Sequence, residues 1–292
     1  MTAVASPFLP VPQRRRRTDL FARLLLGLGT GVALAPLAAI LYYLIDKGAG
    51  ALSWHFFSTD PTGSFLGDPG GVKSAILGTI AMVALASAIA IPVGVGVAVY
   101  LVEYGKGGRL ASVVRYFVDV MTGVPSIVFG LFVYIVLVVG NVVSDGYAAW
   151  KGSVALALLM LPVVTRSTEV VLSLVPDSLR EAALALGAPR WRVIARVVLP
   201  AALPGIVTGS LLAIARAAGE TAPLLFTSAV VFGSSFDLGQ RMNSLPIQIF
   251  NDVGQAQDRL VQRAWGAALT LVVLILLLTI AARLIARRSP SK

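Results

Sequence analysis

Cysteine is absent from this sequence, and histidine and charged residues are scarce. The chain of 292 residues has no cysteine, a single histidine (His55) and a charged fraction of 13%. The lack of cysteine excludes disulfides, thiolate metal sites and cysteine nucleophiles. One histidine leaves no Ser-His-Asp triad in a plausible order, and metal sites need several ligands. We therefore expect no enzyme active site in this chain, and no metal or cofactor bound by it.

Apolar residues make up most of the chain instead. The hydrophobic fraction is 57% and the mean hydropathy is +0.85, which is far from the usage of a soluble domain. The net charge of +10 could indicate nucleic-acid binding, but the basic residues are distributed by the side of a membrane and not along one face. The composition predicts an all-α membrane protein that contacts lipid and no nucleic acid.

Six apolar runs are long enough to cross a membrane as helices, which takes roughly 20 residues each. They define a transmembrane domain at 24–285 between an N-terminal tail (1–23) and a C-terminal tail (286–292). A cleavable signal peptide is the competing interpretation of the first run, although that run exceeds the usual length of a signal core. The predicted spans are about 24–45, 74–102, 117–139, 153–175, 203–231 and 265–285.

The basic residues indicate the orientation of these spans. Six crossings assign every loop to a side, and cytoplasmic loops carry the excess of lysine and arginine. Sixteen basic residues then lie inside, and two, Arg166 and Arg216, lie within spans. The remaining six fall outside: Lys47, Lys73, Lys151, Arg241, Arg259 and Arg263. We therefore predict that both termini and the loop at 176–200 are cytoplasmic.

The loop at 176–200 is a polar segment between two apolar spans. Ser178 and Glu181 have the spacing of a capping box, which predicts a helix that begins near Pro176 and Asp177. Gly187 is expected to end this helix, and Pro189 to begin a second one at a new angle. We call this predicted helix–turn–helix the elbow. Four arginines are expected to keep it in water: Arg180, Arg190, Arg192 and Arg196.

The elbow resembles the EAA loop of the permease subunits of ABC transporters, which are ATP-driven importers. The match covers twenty residues, from Glu181-Ala182-Ala183 through Gly187 to Leu199-Pro200, with Val197 where isoleucine is commonest. The resemblance implies the fold of a type I ABC importer permease, with six transmembrane helices and a cytoplasmic coupling helix. It also implies that Glu181, Ala182, Ala183 and Gly187 couple the chain to a dimeric ABC ATPase, which uses the ATP and Mg. An ordinary amphipathic connector is the alternative.

Two further segments resemble the phosphate-specific transport (Pst) type of these permeases. They are Thr122–Phe132 and Ala215–Pro223, the latter reading A-R-A-A-G-E-T-A-P. This resemblance implies a phosphate importer of the bacterial plasma (inner) membrane, with a second permease subunit of similar fold and an extracytoplasmic phosphate-binding protein. Sulfate, molybdate or tungstate is an alternative substrate. An ion-coupled secondary carrier is an alternative of another class.

Intramembrane charges supply the candidate substrate path. Charge inside an apolar span is costly, so it usually faces the bundle interior and is paired or functional. Arg216 and Glu220 lie four residues apart and are predicted to share one helix face. We assign Arg216, Glu220 and Arg166 to the path, although each arginine could instead simply balance Glu220 or Glu169 and lock helix packing. Three residues are expected to loosen or bend helices: Pro125, Gly219 and Pro223.

Overall fold

The fold is helical, as the composition predicts. The computed structural model describes residues 13–64, 67–105, 107–141, 143, 146–229 and 231–288, and among these no β-strand forms beyond an isolated bridge between Pro61 and Gly70. The helices are α1 (Gln13–Gly48), α2 (Trp54–Ser58), α3 (Lys73–Val99), α4 (Arg109–Gly123), α5 (Ser126–Val133), α6 (Ala149–Ser173), α7 (Asp177–Ala185), α8 (Arg190–Val193), α9 (Leu199–Ala218), α10 (Ala222–Thr227), α11 (Leu245–Val253) and α12 (Asp258–Arg288).

Three of these helices continue or begin in wider, π-type turns. Tyr100–Tyr104 extends α3, Tyr134–Val139 extends α5, and Ile194–Val198 joins α8 to α9. Within the described residues, five helical stretches are long and apolar enough to cross a membrane, and the bent pair of α4 and α5 is the sixth candidate. The predicted all-α class with six candidate spans is confirmed.

The helix ends differ from the predicted spans. α1 begins at Gln13 and α12 begins at Asp258, whereas the predicted spans begin at residues 24 and 265. The helices start earlier because helical hydrogen bonding extends into the polar residues that precede each apolar run. The helix of the fifth predicted span, 203–231, ends at Ala218, and α10 follows separately. Parts of the two predicted tails, residues 1–12 and 289–292, lie outside the described residues.

The third predicted span, 117–139, is not one straight helix. α4 starts at Arg109 and ends at Gly123, and α5 leaves it at an angle of 104°. Proline has no N–H and disfavours the helical conformation of the residue before it. Val124, which precedes Pro125, is accordingly extended (φ −73°, ψ 129°). Pro125 therefore divides this span instead of gently bending it.

The chain divides into two compact units, residues 1–47 and 48–292. The described part of the first unit, which begins at Gln13, is helical, and its side chains are exposed from Arg14 through Tyr43. Most of them beyond Asp19 are apolar, which suits a surface in contact with lipid.

The core of the second unit lies where α3, α6 and α9 pack together. α9 approaches α6 through two glycines. A Cβ at Gly209 would collide with the Ser167 hydroxyl, and one at Gly205 would stand 2.5 Å from a Val171 methyl. Small residues of this kind allow close packing of helices in lipid. The buried cluster here includes Met82, Ala86, Ala90, Leu156, Met160, Val164, Ala213 and Ala217.

Candidate functional site: the coupling elbow and the intramembrane charges

The elbow forms as the glycine and proline spacing predicts. Gly187 has a φ of +80°, a left-handed conformation that glycine adopts without strain. The Gly187 N–H donates to the Leu184 carbonyl (2.9 Å) and the Ala188 N–H to the Ala183 carbonyl (3.3 Å), which is the Schellman pattern. Pro189 then precedes α8. The turn thus lets α7 and the next helix leave in different directions.

The start of α7 differs from the prediction. The helix begins at Asp177, as expected, but Pro176 occupies the N-cap position and no described side chain makes a capping hydrogen bond there. The capping box of Ser178 and Glu181 is therefore wrong, because these residues lie within the first turns of the helix. Glu181 and Ala182 are exposed, and Ala183 is half-buried against the adjoining core. The exposed residues leave one face of α7 open.

One of the four elbow arginines is not in water. The Arg180 side chain is 12% exposed, and its Nη2 lies 2.9 Å from Oε1 of Glu103, whose side chain is 5% exposed. Arg190, Arg192 and Arg196 are exposed, as expected. Glu103 lies 77 residues before Arg180 in the chain, so local sequence does not pair them. The position of Glu103 at the end of an apolar run was the available signal.

Arg216 and Glu220 contact each other across a helix end. The Arg216 Nε lies 3.7 Å from Glu220 Oε1, and the two side chains are 49% and 18% exposed. α9 stops at Ala218, with the Gly219 N–H donating to the Arg216 carbonyl (3.1 Å). Glu220 is therefore not on the helix face with Arg216, because the helix ends before it. The ion pair is long and partly open to its surroundings.

The helix that follows packs against the other signature segment. α10 starts after Thr221 with Pro223 in its first turn. A Cβ at Gly130 of α5 would stand 2.6 Å from the Pro223 Cα, so the two backbones approach very closely. The structure thus brings together the two segments, Thr122–Phe132 and Ala215–Pro223, that resemble phosphate permeases.

Arg166 belongs to a chain of four charges. Its Nη1 donates to Glu169 (2.6 Å), and its Nε donates to Asp119 of α4 (2.7 Å). Arg115 of α4 donates to the other oxygen of Glu169 (2.6 Å). Two arginines thus balance two carboxylates and tie α4 to α6. Sequence reasoning found Arg166 and Glu169 but not Arg115 and Asp119, although Asp119, as an acidic residue inside a predicted span, was a usable signal.

The groove beside Arg166 does not include Arg216. This groove of about 850 Å³ lies between α6, α9 and α12 and is lined by Arg166, Thr208 and Arg283, among others. The structure therefore brings Arg216 together with Glu220, and Arg166 with Glu169, as two separate ion pairs.

Two basic residues that the topology assigns to the outside are buried. Lys151 is inaccessible, and its Nζ donates to the carbonyls of Leu137 (2.9 Å) and Gly146 (2.8 Å). Arg263 forms a two-pronged ion pair with Asp252, at 2.7 and 2.8 Å. These contacts hold the predicted outer loops to the helix bundle.

The sole histidine, His55, is exposed on the short helix α2. His55 Nε2 is 2.9 Å from Asp68 Oδ2. The pKa of Asp68 lies below its ordinary value because its carboxylate accepts the Gly70 N–H and, secondly, pairs with His55. The sequence predicts that the aromatic residues beside His55 anchor this segment at the membrane interface. Trp54 is 85% exposed and suits that role, but Phe56 is 5% exposed and belongs to the core.

Comparisons with known proteins agree with this architecture. Residues 90–289 match the family described as the inner membrane component of binding-protein-dependent transport systems. The chain is 41% identical over 281 residues to the phosphate transport system permease protein PstA 1 of Mycobacterium tuberculosis (strain ATCC 25618 / H37Rv), covering 95% of this chain and 90% of that protein. It is 42% identical over 245 residues to PstA of Pasteurella multocida, covering 84% and 86%.

Solved structures share the fold. A chain of the inward-facing MetNI methionine ABC transporter aligns with a TM-score of 0.62 at 22% identity, over 74% of this chain and 94% of that one. A chain of a bacterial alginate ABC transporter aligns with a TM-score of 0.61 at 16% identity, over 93% of both. These identities show the fold alone. The family match covers more than half of the chain, and it confirms the resemblance carried by the elbow: the chain belongs to the inner membrane components of binding-protein-dependent transport systems.

Proposed function

We propose that this chain is the transmembrane subunit of an ATP-driven importer of inorganic phosphate. The observation that carries the proposal is the loose ion pair of Arg216 and Glu220 beside the broken end of α9. It lies in a segment that resembles phosphate permeases, and relatives about 40% identical over most of the chain are named phosphate transport permeases.

Arg216 has the chemistry to hold a tetrahedral oxyanion. A guanidinium donates two parallel hydrogen bonds to such an anion and stays charged in nearly any environment. The 3.7 Å separation from Glu220 and the 49% exposure of Arg216 leave its donors accessible. Phosphate can therefore replace the carboxylate without the cost of breaking a tight buried pair. Glu220 takes the guanidinium back after release, which keeps the anion's hold transient.

Glu220 also offers a basis for selecting phosphate. A carboxylate accepts a hydrogen bond from protonated phosphate, and sulfate at neutral pH has no proton to donate. The negative charge of Glu220 also repels fully ionised sulfate, which disfavours that anion.

Arg166 is the second proposed position on the path, and it binds the anion less readily than Arg216 does. Asp119 and Glu169 already occupy its donors, so an anion reaches it only when α4 and α6 separate. Pro125 separates α4 from α5, Gly219 ends α9, and Pro223 lies in the first turn of α10. We propose that these interruptions allow the segments to move.

The elbow is the proposed contact with a dimeric ABC ATPase, through Glu181, Ala182, Ala183 and the turn at Gly187. ATP binding by the ATPase, with Mg, draws the elbows of this chain and of a second permease subunit together and turns the path outward, and hydrolysis returns it. An extracytoplasmic phosphate-binding protein delivers the anion. The assembly lies in the bacterial inner membrane with both termini of this chain in the cytoplasm.

The test is uptake of labelled phosphate into vesicles that carry the full assembly. We expect uptake that requires ATP, survives collapse of ion gradients and resists competition by excess sulfate. Uptake that sulfate, molybdate or tungstate competes away would transfer the function to another oxyanion. Uptake that ignores ATP depletion but stops when the gradient collapses would make the chain a secondary carrier.

A further inference from the structure

Glu103 is a buried carboxylate at the end of a membrane helix. It lies in the π-type turn Tyr100–Tyr104 that ends the α3 stretch, and its residue is 4% exposed. Turns of this kind occur frequently at functional sites. Its oxygen Oε1 accepts from Nε of Arg180 (3.0 Å), and Nη2 of Arg180 lies 2.9 Å from the same oxygen. A carboxylate buried to this extent needs such a partner to remain ionised.

Arg180 reaches a second membrane helix with its remaining donors. Its Nη2 donates to the Leu172 carbonyl (2.9 Å) and its Nη1 to the Val175 carbonyl (2.5 Å). Leu172 lies in the last turn of α6 and Val175 lies two residues beyond its end, in the region where helix carbonyls lack a full set of intrahelical partners. One guanidinium from α7 thus holds the ends of both α3 and α6.

The other arm of the elbow contacts the same place. Arg190, the first residue of α8, donates to the backbone carbonyl of Glu103. Its guanidinium also lies 5.2 Å from the centre of the Tyr104 ring, a distance at which a cation is attracted to an aromatic face. A cavity of about 300 Å³ beside these residues is lined by Glu181 as well, so the contacts lie directly behind the exposed face of the elbow.

We propose that the Glu103–Arg180 ion pair, supported by Arg190, is the strut that carries motion of the elbow to α3 and α6. The inference rests on the proposed function, since it assumes that the elbow moves with an ATPase. Glu103 and Arg180 are positioning residues and touch neither substrate nor nucleotide. Without this pair, the elbow could pivot at Gly187 and Pro189 independently of the membrane helices. With the pair, the elbow and the ends of α3 and α6 move as one body.

Coupling and stability are separable through single and double variants. Removing one partner of a buried pair leaves an uncompensated charge, whereas replacing both partners is often neutral for stability. Glu103→Gln therefore lowers both the yield of assembled complex and the coupling of ATP hydrolysis to transport. In Glu103→Gln/Arg180→Gln the assembly recovers, but the charge-assisted contact is still missing and the coupling stays low.

The experiment measures phosphate uptake per ATP hydrolysed by the purified assembly in liposomes. We expect about a tenfold decrease in this ratio for both variants, a size within the usual range of coupling between sites. Asp177→Asn is the matched control, because Asp177 contacts the same guanidinium (3.1 Å) from a side chain that is 78% exposed, and exposed pairs contribute little. Recovery of the wild-type ratio in the double variant would overturn the proposal.

A second readout does not depend on the transported anion. The chain has no cysteine, so Ser178→Cys and Val93→Cys carry spin labels at two positions only, both exposed and located on α7 and α3. In the assembly with intact Glu103, we expect the distance between the two labels to be the same with and without ATP. Glu103→Gln should broaden or shift this distance when ATP binds. Identical distance distributions in both proteins and both states would refute the strut.

The two readouts separate the possible failures. An assembly with unaltered residues that hydrolyses ATP but takes up no phosphate counts against the proposed function, and the label distances then still decide the role of Glu103. An assembly that transports phosphate normally after Glu103→Gln, per ATP hydrolysed, retains the proposed function and eliminates the strut.

Discussion

Gly130 of α5 lies against Pro223 of α10 so closely that a Cβ at Gly130 would stand 2.6 Å from the Pro223 Cα. Real Cβ atoms do not approach a backbone atom this closely, so the position requires glycine or a shift of one helix. α10 directly follows the Arg216–Glu220 break. The packing of α5 therefore helps to determine where this ion pair lies.

The close approach predicts the effect of enlarging Gly130. Gly130→Val pushes α10 away from α5, and overpacking of this kind costs about 1–3 kcal/mol. We expect lower thermal stability of the assembly and loss of phosphate uptake. Gly123→Ala is the control from the same segment, because no described atom lies within 4 Å of a Cβ there. Normal stability of Gly130→Val would show that the two helices are not packed as described.

Replacing Gly187 tests the elbow turn. The left-handed conformation at φ +80° costs a side-chain-bearing residue about 1–2 kcal/mol, so Gly187→Leu distorts the turn. We expect a folded chain in the membrane and at least about a tenfold decrease in ATP-driven uptake, measured with purified complexes. Asparagine tolerates this conformation better than other residues. Gly187→Asn should accordingly retain much of the activity, and wild-type transport by Gly187→Leu would disprove the coupling role.

Substitution of Arg216 tests the anion path. Arg216→Gln removes a charged hydrogen-bond donor, whose contribution of about 1.5–3 kcal/mol corresponds to a decrease in uptake of about 10- to 100-fold. ATPase subunits should still co-purify with this variant. Arg216→Lys keeps the charge but not the two-pronged geometry, and we expect it to be impaired as well. Full uptake by Arg216→Gln at normal expression would reduce the pair with Glu220 to a structural contact.

Reporter fusions test the membrane topology. A reporter that is active only outside the cytoplasm should be active after Gly146 or Gly254 and silent after Gly107 or Ser289. The reason is the excess of basic residues in the predicted inner loops, sixteen against six outside. Activity after Gly107 would contradict the arrangement with six crossings and both termini inside.

Much of the elbow could be predicted from the sequence. Gly187 and Pro189 restrict the backbone through their own covalent structure, so the turn and the start of α8 follow without any partner. The sequence also predicts where α7 starts, but not how. Pro176 occupies the N-cap position and makes no side-chain hydrogen bond, whereas the Ser178–Glu181 pattern predicts a side-chain cap.

The charged contacts were less predictable. Arg216 meets Glu220 because only four residues separate them, and that spacing is visible in the sequence. Arg166 also meets Asp119, 47 residues earlier, and Arg180 meets Glu103, 77 residues earlier. Nothing in the local pattern selects these partners among the other acidic residues of the chain.

The amino-acid sequence is sufficient to predict a bundle of apolar helices with a polar elbow and intramembrane charges. Helix length, hydrophobicity and the backbone limits of glycine and proline are properties of short segments. Three features are visible only in the folded chain: Pro125 separates two helices that meet at 104°, Lys151 is buried, and Arg180 joins the ends of α3 and α6. These features depend on which distant segments pack together, because a buried charge is stable only where the fold supplies its partner.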